Sequence, residues 1–115
     1  MADALIVIRN APSADLEAIE LALAMGAFDH QVSLLFIGAG LLWLINHQQE
    51  RKPGGKSPSK LVNALPIYDC EAVYYSRTDL EALQLDKRLI NSVARELEPD
   101  AIRELVSRQQ FCMGL

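Results

Sequence analysis

Cysteine is scarce in this sequence. Cys70 and Cys112 lie far apart, no CxxC pair exists, and neither His30 nor His47 stands near a cysteine. The spacing of a structural zinc site is therefore lacking, and no metal site is expected. The first ten residues, MADALIVIRN, have no basic n-region and only a short apolar run. With no secretion signal to read, the expected compartment is the cytoplasm, where thiols stay reduced. No window approaches the roughly 20 apolar residues that a membrane span needs. Cations are outnumbered, 11 Lys and Arg against 15 Asp and Glu, for a net charge of −4. That balance argues against direct, phosphate-driven nucleic-acid binding. Aromatic residues make up only 6%, while half of the residues are hydrophobic, an excess carried by Leu, Ile, Val and Ala. Such a composition suits a buried parallel sheet, or a subunit that hides extra surface against partners.

With 115 residues the chain is the size of one domain, large enough for a core without disulfides or metals. Residues 4–8 read as a buried strand, ended by Arg9-Asn10-Ala11-Pro12. Ser13 is placed as an N-cap, with Asp15 and Glu17 in the first turn of a helix whose face is Leu16, Ile19 and Leu23; Gly26 stops it. Residues 32–37 predict a second buried strand, and residues 41–45 begin a very apolar helix. A basic stretch rich in Pro, Gly and Ser, HQQERKPGGKSPSK at residues 47–60, reads as a solvated, flexible loop, with a partner-docking loop as the alternative. Residues 61–65 suggest a short helix closed by Pro66, residues 72–75 a strand, and Thr78 the cap of a short helix over residues 80–83. Pro99 forbids one continuous helix in the last third. The spacing predicts a strand over residues 89–94, then a helix from Pro99 with Ile102, Leu105 and Val106 on its apolar face. Residues 111–115 complete the series. Alternating strands and helices give an α/β fold: a single three-layer α/β/α domain whose mostly parallel sheet has about five strands.

The stretch GAFDHQVSLLFIGAGLLWL, residues 26–44, poses a functional question, because a strand feeding a helix through glycines often holds a phosphate. Here Gly38-Ala39-Gly40 is a lone GxG. Trp43 stands where a dinucleotide fingerprint has its third glycine, and no Lys-Ser/Thr pair follows. The turn also follows the second strand, whereas a Rossmann fingerprint follows the first. The glycines therefore read as architecture, a tight turn between strand and helix. No cofactor site is expected; a small nucleotide-binding module is the weaker alternative.

RNAP after the first strand, GAFDHQVSLLF and GLLWL around the second, and IYDCEAVYYSRTDLEALQL around the third resemble the DsrE/DsrF-like sulfur-relay family, closest to its DsrF/TusC branch. The likeness runs in order along nearly the whole chain, and residues 1–115 are read as one DsrE/DsrF-like domain. Three features depart from the branch. Gly38-Ala39 replaces an acidic pair before Gly40, the stretch after Pro12 is short, and Gln84-Leu85 replaces an Arg-Gly turn.

The resemblance implies a heterohexamer of three related small subunits. One, of the DsrE/TusD type, carries a persulfide on a cysteine near the third strand; the others are of the DsrF/TusC and DsrH/TusB types. Sulfur arrives from small carrier proteins and leaves toward 2-thiouridine at the tRNA wobble position, or, in Dsr systems, along the oxidation of stored sulfur. The DsrF/TusC-type subunit lacks the thiol and is a structural partner, so no enzyme activity of its own is implied. The persulfide position falls near Tyr74 in this sequence.

Two residues remain as persulfide candidates, and Cys70 carries the alternative function of a sulfurtransferase. A relay thiol needs a depressed pKa, and Asp69 and Glu71 on either side of Cys70 favour the neutral thiol. Cys112 falls in the expected last strand, where a buried inert thiol is the default. Tyr74 and Tyr75 read as half-buried strand or subunit contact, Trp43 as core or interface, and His30 as a solvent-exposed loop residue. Asp29 and Asp69 precede strands, with nothing to bring them together. No nucleophile–base pair is evident, so no self-contained active site is expected.

Overall fold

The computed structural model describes residues 3–11, 31–45, 62–68, 72–108 and 111–114. Five strands, β1 (Asp3–Ile8), β2 (Gln31–Phe36), β3 (Ala72–Ser76), β4 (Arg95–Leu97) and β5 (Phe111–Gly114), form one sheet in the order β4-β3-β2-β1-β5. All four pairings are parallel. Parallel pairs need crossovers, and right-handed crossovers decide where the helices lie. From β1 to β4 the chain steps in one direction, and the described connecting elements lie on one face. These include the 3-10 helices η1 (Gly38–Leu44) and η2 (Leu65–Tyr68) and helix α1 (Arg77–Ala82). After β4 the direction reverses, and α2 (Pro99–Ser107) returns the chain across the opposite face to β5.

Side-chain alternation divides the core accordingly. Ile6, Ile8, Val32, Leu34, Phe36, Val73 and Tyr75 face η1 and α1, packing with Leu41, Trp43, Leu44, Val62, Leu65, Leu80 and Ile90. Leu5 and Leu35 face the other way and pack with Leu105, flanked by Val7, Ile37, Tyr74, Leu97 and Ile102. The runs of buried residues in β1 and β2 follow from this double coverage. Each large side chain removed from water on either face contributes roughly 1.5–3 kcal/mol.

Several elements differ from the sequence expectation. The apolar helix expected from residue 41 is a 3-10 helix that begins earlier, at Gly38, and ends at Leu44. Ile45 leaves it in extended conformation and makes an antiparallel bridge with Ile90. Pro66 does not close its helix. Residues 62–64 are helical, and Pro66 lies inside η2, which continues to Tyr68. Ser76 rather than Thr78 caps α1, its Oγ accepting the Asp79 N–H at 3.3 Å. The strand expected over residues 89–94 is displaced to Arg95–Leu97. Ile90 is drawn into the core instead, and Asn91 turns the chain, its carbonyl accepting the Ala94 N–H at 3.1 Å. On α2, Leu105 is buried as expected and Pro99 occupies the first turn, but Val106 is 40% exposed. The helix expected after Ser13 and the basic loop at residues 47–60 lie outside the described residues.

Helix α1 ends in a Schellman motif. Leu85 N–H donates to Leu80 O at 3.2 Å and Gln84 N–H to Glu81 O at 3.0 Å. Gln84 supplies the left-handed residue, with φ of 55°, and Leu85 folds back onto the cluster that holds Leu80.

Candidate functional site at the carboxyl ends of the strands

In an open parallel sheet, ligands bind beyond the carboxyl ends of the strands. Here the ends of β1, β2 and β3 are tied to one another. Ile37 N–H donates to Ile8 O at 3.0 Å, extending the β1–β2 ladder by one residue. The chain then turns through Gly38 in the left-handed region, φ +52°. Gly38 N–H points to α1 and donates to the Asp79 carboxylate at 2.8 Å. Asp79 sits in the first turn of that helix, where its charge also favours the helix dipole. The turn amide that a phosphate would occupy in a binding loop is thus held by a carboxylate of the chain itself.

Gly40 has a different reason to be glycine. A Cβ there would stand 2.1 Å from the carbonyl oxygen of Ile8 and 2.8 Å from its carbon. The 3-10 helix rides directly on the end of β1, and only a residue without a side chain permits it. One turn later Trp43, 3% exposed, donates its indole N–H to Asn10 O at 3.0 Å. The apolar ring fills the core while its one polar atom holds the loop after β1. Among the described residues, Arg9, Asn10, Ala11 and Ala39 are exposed beside this turn.

A second group of polar residues stands at the ends of β3 and β4. Ile8, Phe36, Tyr75 and Glu96 form one row across the sheet. The Tyr75 hydroxyl donates to Glu96 Oε2 at 3.3 Å, and Lys87 Nζ reaches the same oxygen at 3.2 Å. Arg77 lies between Glu81 at 3.1 Å, Glu96 at 3.6 Å and Glu98 at 2.5 Å. Burial, and then the Glu96 carboxylate, push the Tyr75 phenol above its ordinary 10.0. The hydrogen bond to Glu98 leads the effects that raise the Arg77 guanidinium. Near α1's end, the Arg88 hydrogen bonds hold the Asp86 carboxyl below its ordinary value. The contacts of Tyr75, Arg77 and Lys87 with Glu96 tie the short edge strand β4 to its neighbours.

Of the residues marked from sequence, Cys70, His30, His47, Asp29, Asp69 and Glu71 lie outside the described residues. Cys112 lies in β5, paired in register with Leu5 of β1. Tyr74, near which the resemblance implies the reactive thiol, is half-buried and packs onto the Leu5, Leu35 and Leu105 cluster beneath α2. Its neighbours in register are Leu35 and Arg95. Tyr75 is buried in the opposite layer. Among the described residues, no three His, Cys, Asp or Glu side chains stand together as a metal site. Nor is any helix there long and apolar enough to cross a membrane.

Sequence reasoning missed Asp79, Asn91 and Glu96. Asp79 had a usable signal, because Ser76-Arg77-Thr78-Asp79 has the spacing of a capping box and so marks both cap and third residue. Asn91 and Glu96 act through partners distant in sequence, Asn63 and Tyr75 among them, and had none.

A model of the DsrE/DsrF-like family matches residues 3–112. The chain belongs to the DsrE/DsrF-like family. Among curated proteins of the family, the chain is similar to the "Protein TusC homolog" of Pseudomonas aeruginosa. The two are 31% identical over 99 residues, covering 86% of this chain and 82% of that protein. Among solved structures it resembles the ychN protein from E. coli, with a TM-score of 0.86 over the whole of both chains at 12% identity. At that identity the likeness is one of fold, and it agrees with the α/β family fold described above.

Proposed function

We propose that this protein is a non-catalytic, TusC/DsrF-type subunit of a heterohexameric sulfur-relay complex that serves 2-thiolation of wobble uridine in tRNA. The curated relative named as a TusC homolog and the family match over residues 3–112 support the sulfur-relay reading. One observation carries the non-catalytic role. Near the place where the resemblance implies a persulfide thiol, the chain has Tyr74, a half-buried phenol packed against an apolar cluster. A phenol cannot carry sulfane sulfur, which needs a thiolate. The partners in this reading are DsrE/TusD-type and DsrH/TusB-type subunits, with small sulfur carriers reached through the complex. The acidic chain itself makes no contact with tRNA. It works in the cytoplasm.

The test is reconstitution with both sister subunits and the C70S/C112S double variant of this chain. The expected result is an intact complex that transfers sulfur at the wild-type rate. Loss of transfer from an assembled complex would assign the chain a relay thiol. Failure of the wild-type chain to assemble would remove the subunit role itself.

A further inference from the structure

β4 lies at one edge of the sheet, and β3 is its neighbour there. None of its residues, Arg95, Glu96 and Leu97, is buried, whereas β1, β2 and β3 each bury at least three. In α2 only Leu105 is buried, resting on Leu5 and Leu35, with Leu97 and Ile102 half-buried at the margin of that cluster. From Arg95 to Ser107 the chain is thus held on the α2 side of the sheet by a single buried leucine. Its two ends are better fixed. Before it, the Asn91 N–H donates to Leu44 O at 2.7 Å; after it, β5 pairs with β1. On the α1 side of the sheet one carboxylate gathers the remaining contacts. Glu96 Oε2 accepts from the Tyr75 hydroxyl at 3.3 Å and meets Lys87 Nζ at 3.2 Å, and Arg77 Nε stands 3.6 Å from Oε1. Arg77 also reaches Glu98, at 2.5 Å. Ion pairs of exposed cations are weak singly, but three donors share the Glu96 carboxylate. A stretch with so few buried apolar contacts is the kind that opens locally.

We propose that residues 95–107, β4 and α2 together, form a strap across one face of the sheet that opens as one unit ahead of the rest of the fold, and that Glu96 fastens it. Opening frees the β3 edge, where Tyr74, Tyr75 and Ser76 pair with the strap, and uncovers Leu5, Leu35 and Tyr74. That side of the sheet is thereby reachable while β1, β2 and β3 stay paired. Both tethered ends remain in place, so the strap can close again without a search for its register.

Amide hydrogen exchange of the full chain alone, followed by NMR, is the test, so the outcome is separate from whether the chain joins a relay complex. The Ile102 N–H, which donates to Glu98 O at 3.0 Å within α2, should exchange about a hundredfold faster than the ladder amides of β1 and β2. Equal protection would overturn the proposal. In Glu96→Ala the amides of β4 and α2, Ile102 included, should accelerate together by about tenfold, with β1 and β2 unchanged. Acceleration confined to β4 would show that β4 and α2 do not open as a unit, and acceleration across all strands would show that the opening is global; either result contradicts the strap. Glu81→Gln removes an Arg77 partner that lies within α1. It should leave the strap amides within about twofold, and an effect equal to that of Glu96→Ala would deny Glu96 its special place. Should Glu96→Ala not fold, Tyr75→Phe removes one donor and should speed the same amides by about threefold, whereas unchanged exchange there would count against the fastening.

Discussion

Replacing Gly40 with alanine tests whether the glycine turn is architecture. The added Cβ would lie 2.1 Å from Ile8 O, where ordinary contacts begin near 3.4 Å. Relief requires moving η1 off β1 by more than an ångström. That movement loosens the Ile37–Ile8 hydrogen bond (3.0 Å) and strains the Trp43–Asn10 hydrogen bond (3.0 Å). Overpacking at the upper end of its range plus one lost hydrogen bond gives about 3–4 kcal/mol. For a domain of this size that lowers Tm by roughly 10–20 °C. Gly38→Ala is the internal control. Its Cβ would meet nothing closer than Arg9 O at 4.0 Å, and its cost is the left-handed φ alone, about 1–2 kcal/mol. Thermal unfolding followed by circular dichroism measures both. If Gly40→Ala proved no more damaging than Gly38→Ala, the close approach of η1 to β1 would not limit stability and the argument would fail.

Three further outcomes are expected. Asp79→Ala should cost about 1–2 kcal/mol by orphaning the Gly38 amide, and should speed solvent exchange of the Trp43 indole N–H; Asp79→Asn, which keeps an acceptor, should recover much of both by NMR. Gln84→Gly should raise stability by about 0.5–1 kcal/mol in urea titration, since relief of the left-handed penalty exceeds glycine's added chain entropy. Tyr75 has a folded pKa above the unfolded 10.0. Its contribution is therefore complete below pH 10 and is lost as pH rises through the folded value, because the unfolded chain ionises first. Tyr75→Phe should accordingly flatten the alkaline fall of Tm, at a cost near neutrality of about 1 kcal/mol for the Glu96 hydrogen bond.

The strands were legible in the sequence because a doubly covered parallel sheet writes itself as short, continuous apolar runs. Residues 4–8 and 72–75 fall inside β1 and β3, and Pro99 marks the start of α2. The run over residues 89–94 misled for a physical reason. Leu89, Ile90, Val93 and Ala94 have strand composition, but burial of Ile90 and the hydrogen bonds of Asn91 with Leu44, Asn63, Val93 and Ala94 force a turn there. Local pattern carries no trace of partners that distant. The same holds at the strand ends. The two glycines announced a tight turn, but neither the carboxylate that meets Gly38 nor the carbonyl that excludes a side chain from Gly40 is visible until β1, β2 and α1 are side by side. Tyr74 shows the opposite case, since the neighbourhood of the resemblance's reactive position was readable at once, while its packing onto the Leu5, Leu35 and Leu105 cluster appears only in the fold.

The most direct measurement is native mass spectrometry of the protein co-expressed with the TusD-type and TusB-type subunits proposed as its partners, followed by mapping of sulfur adducts. The account predicts a heterohexamer in which the persulfide lies on another chain and this chain has its bare mass. An uncomplexed chain carrying one added sulfur on Cys70 would contradict it and make the protein a sulfur carrier in its own right.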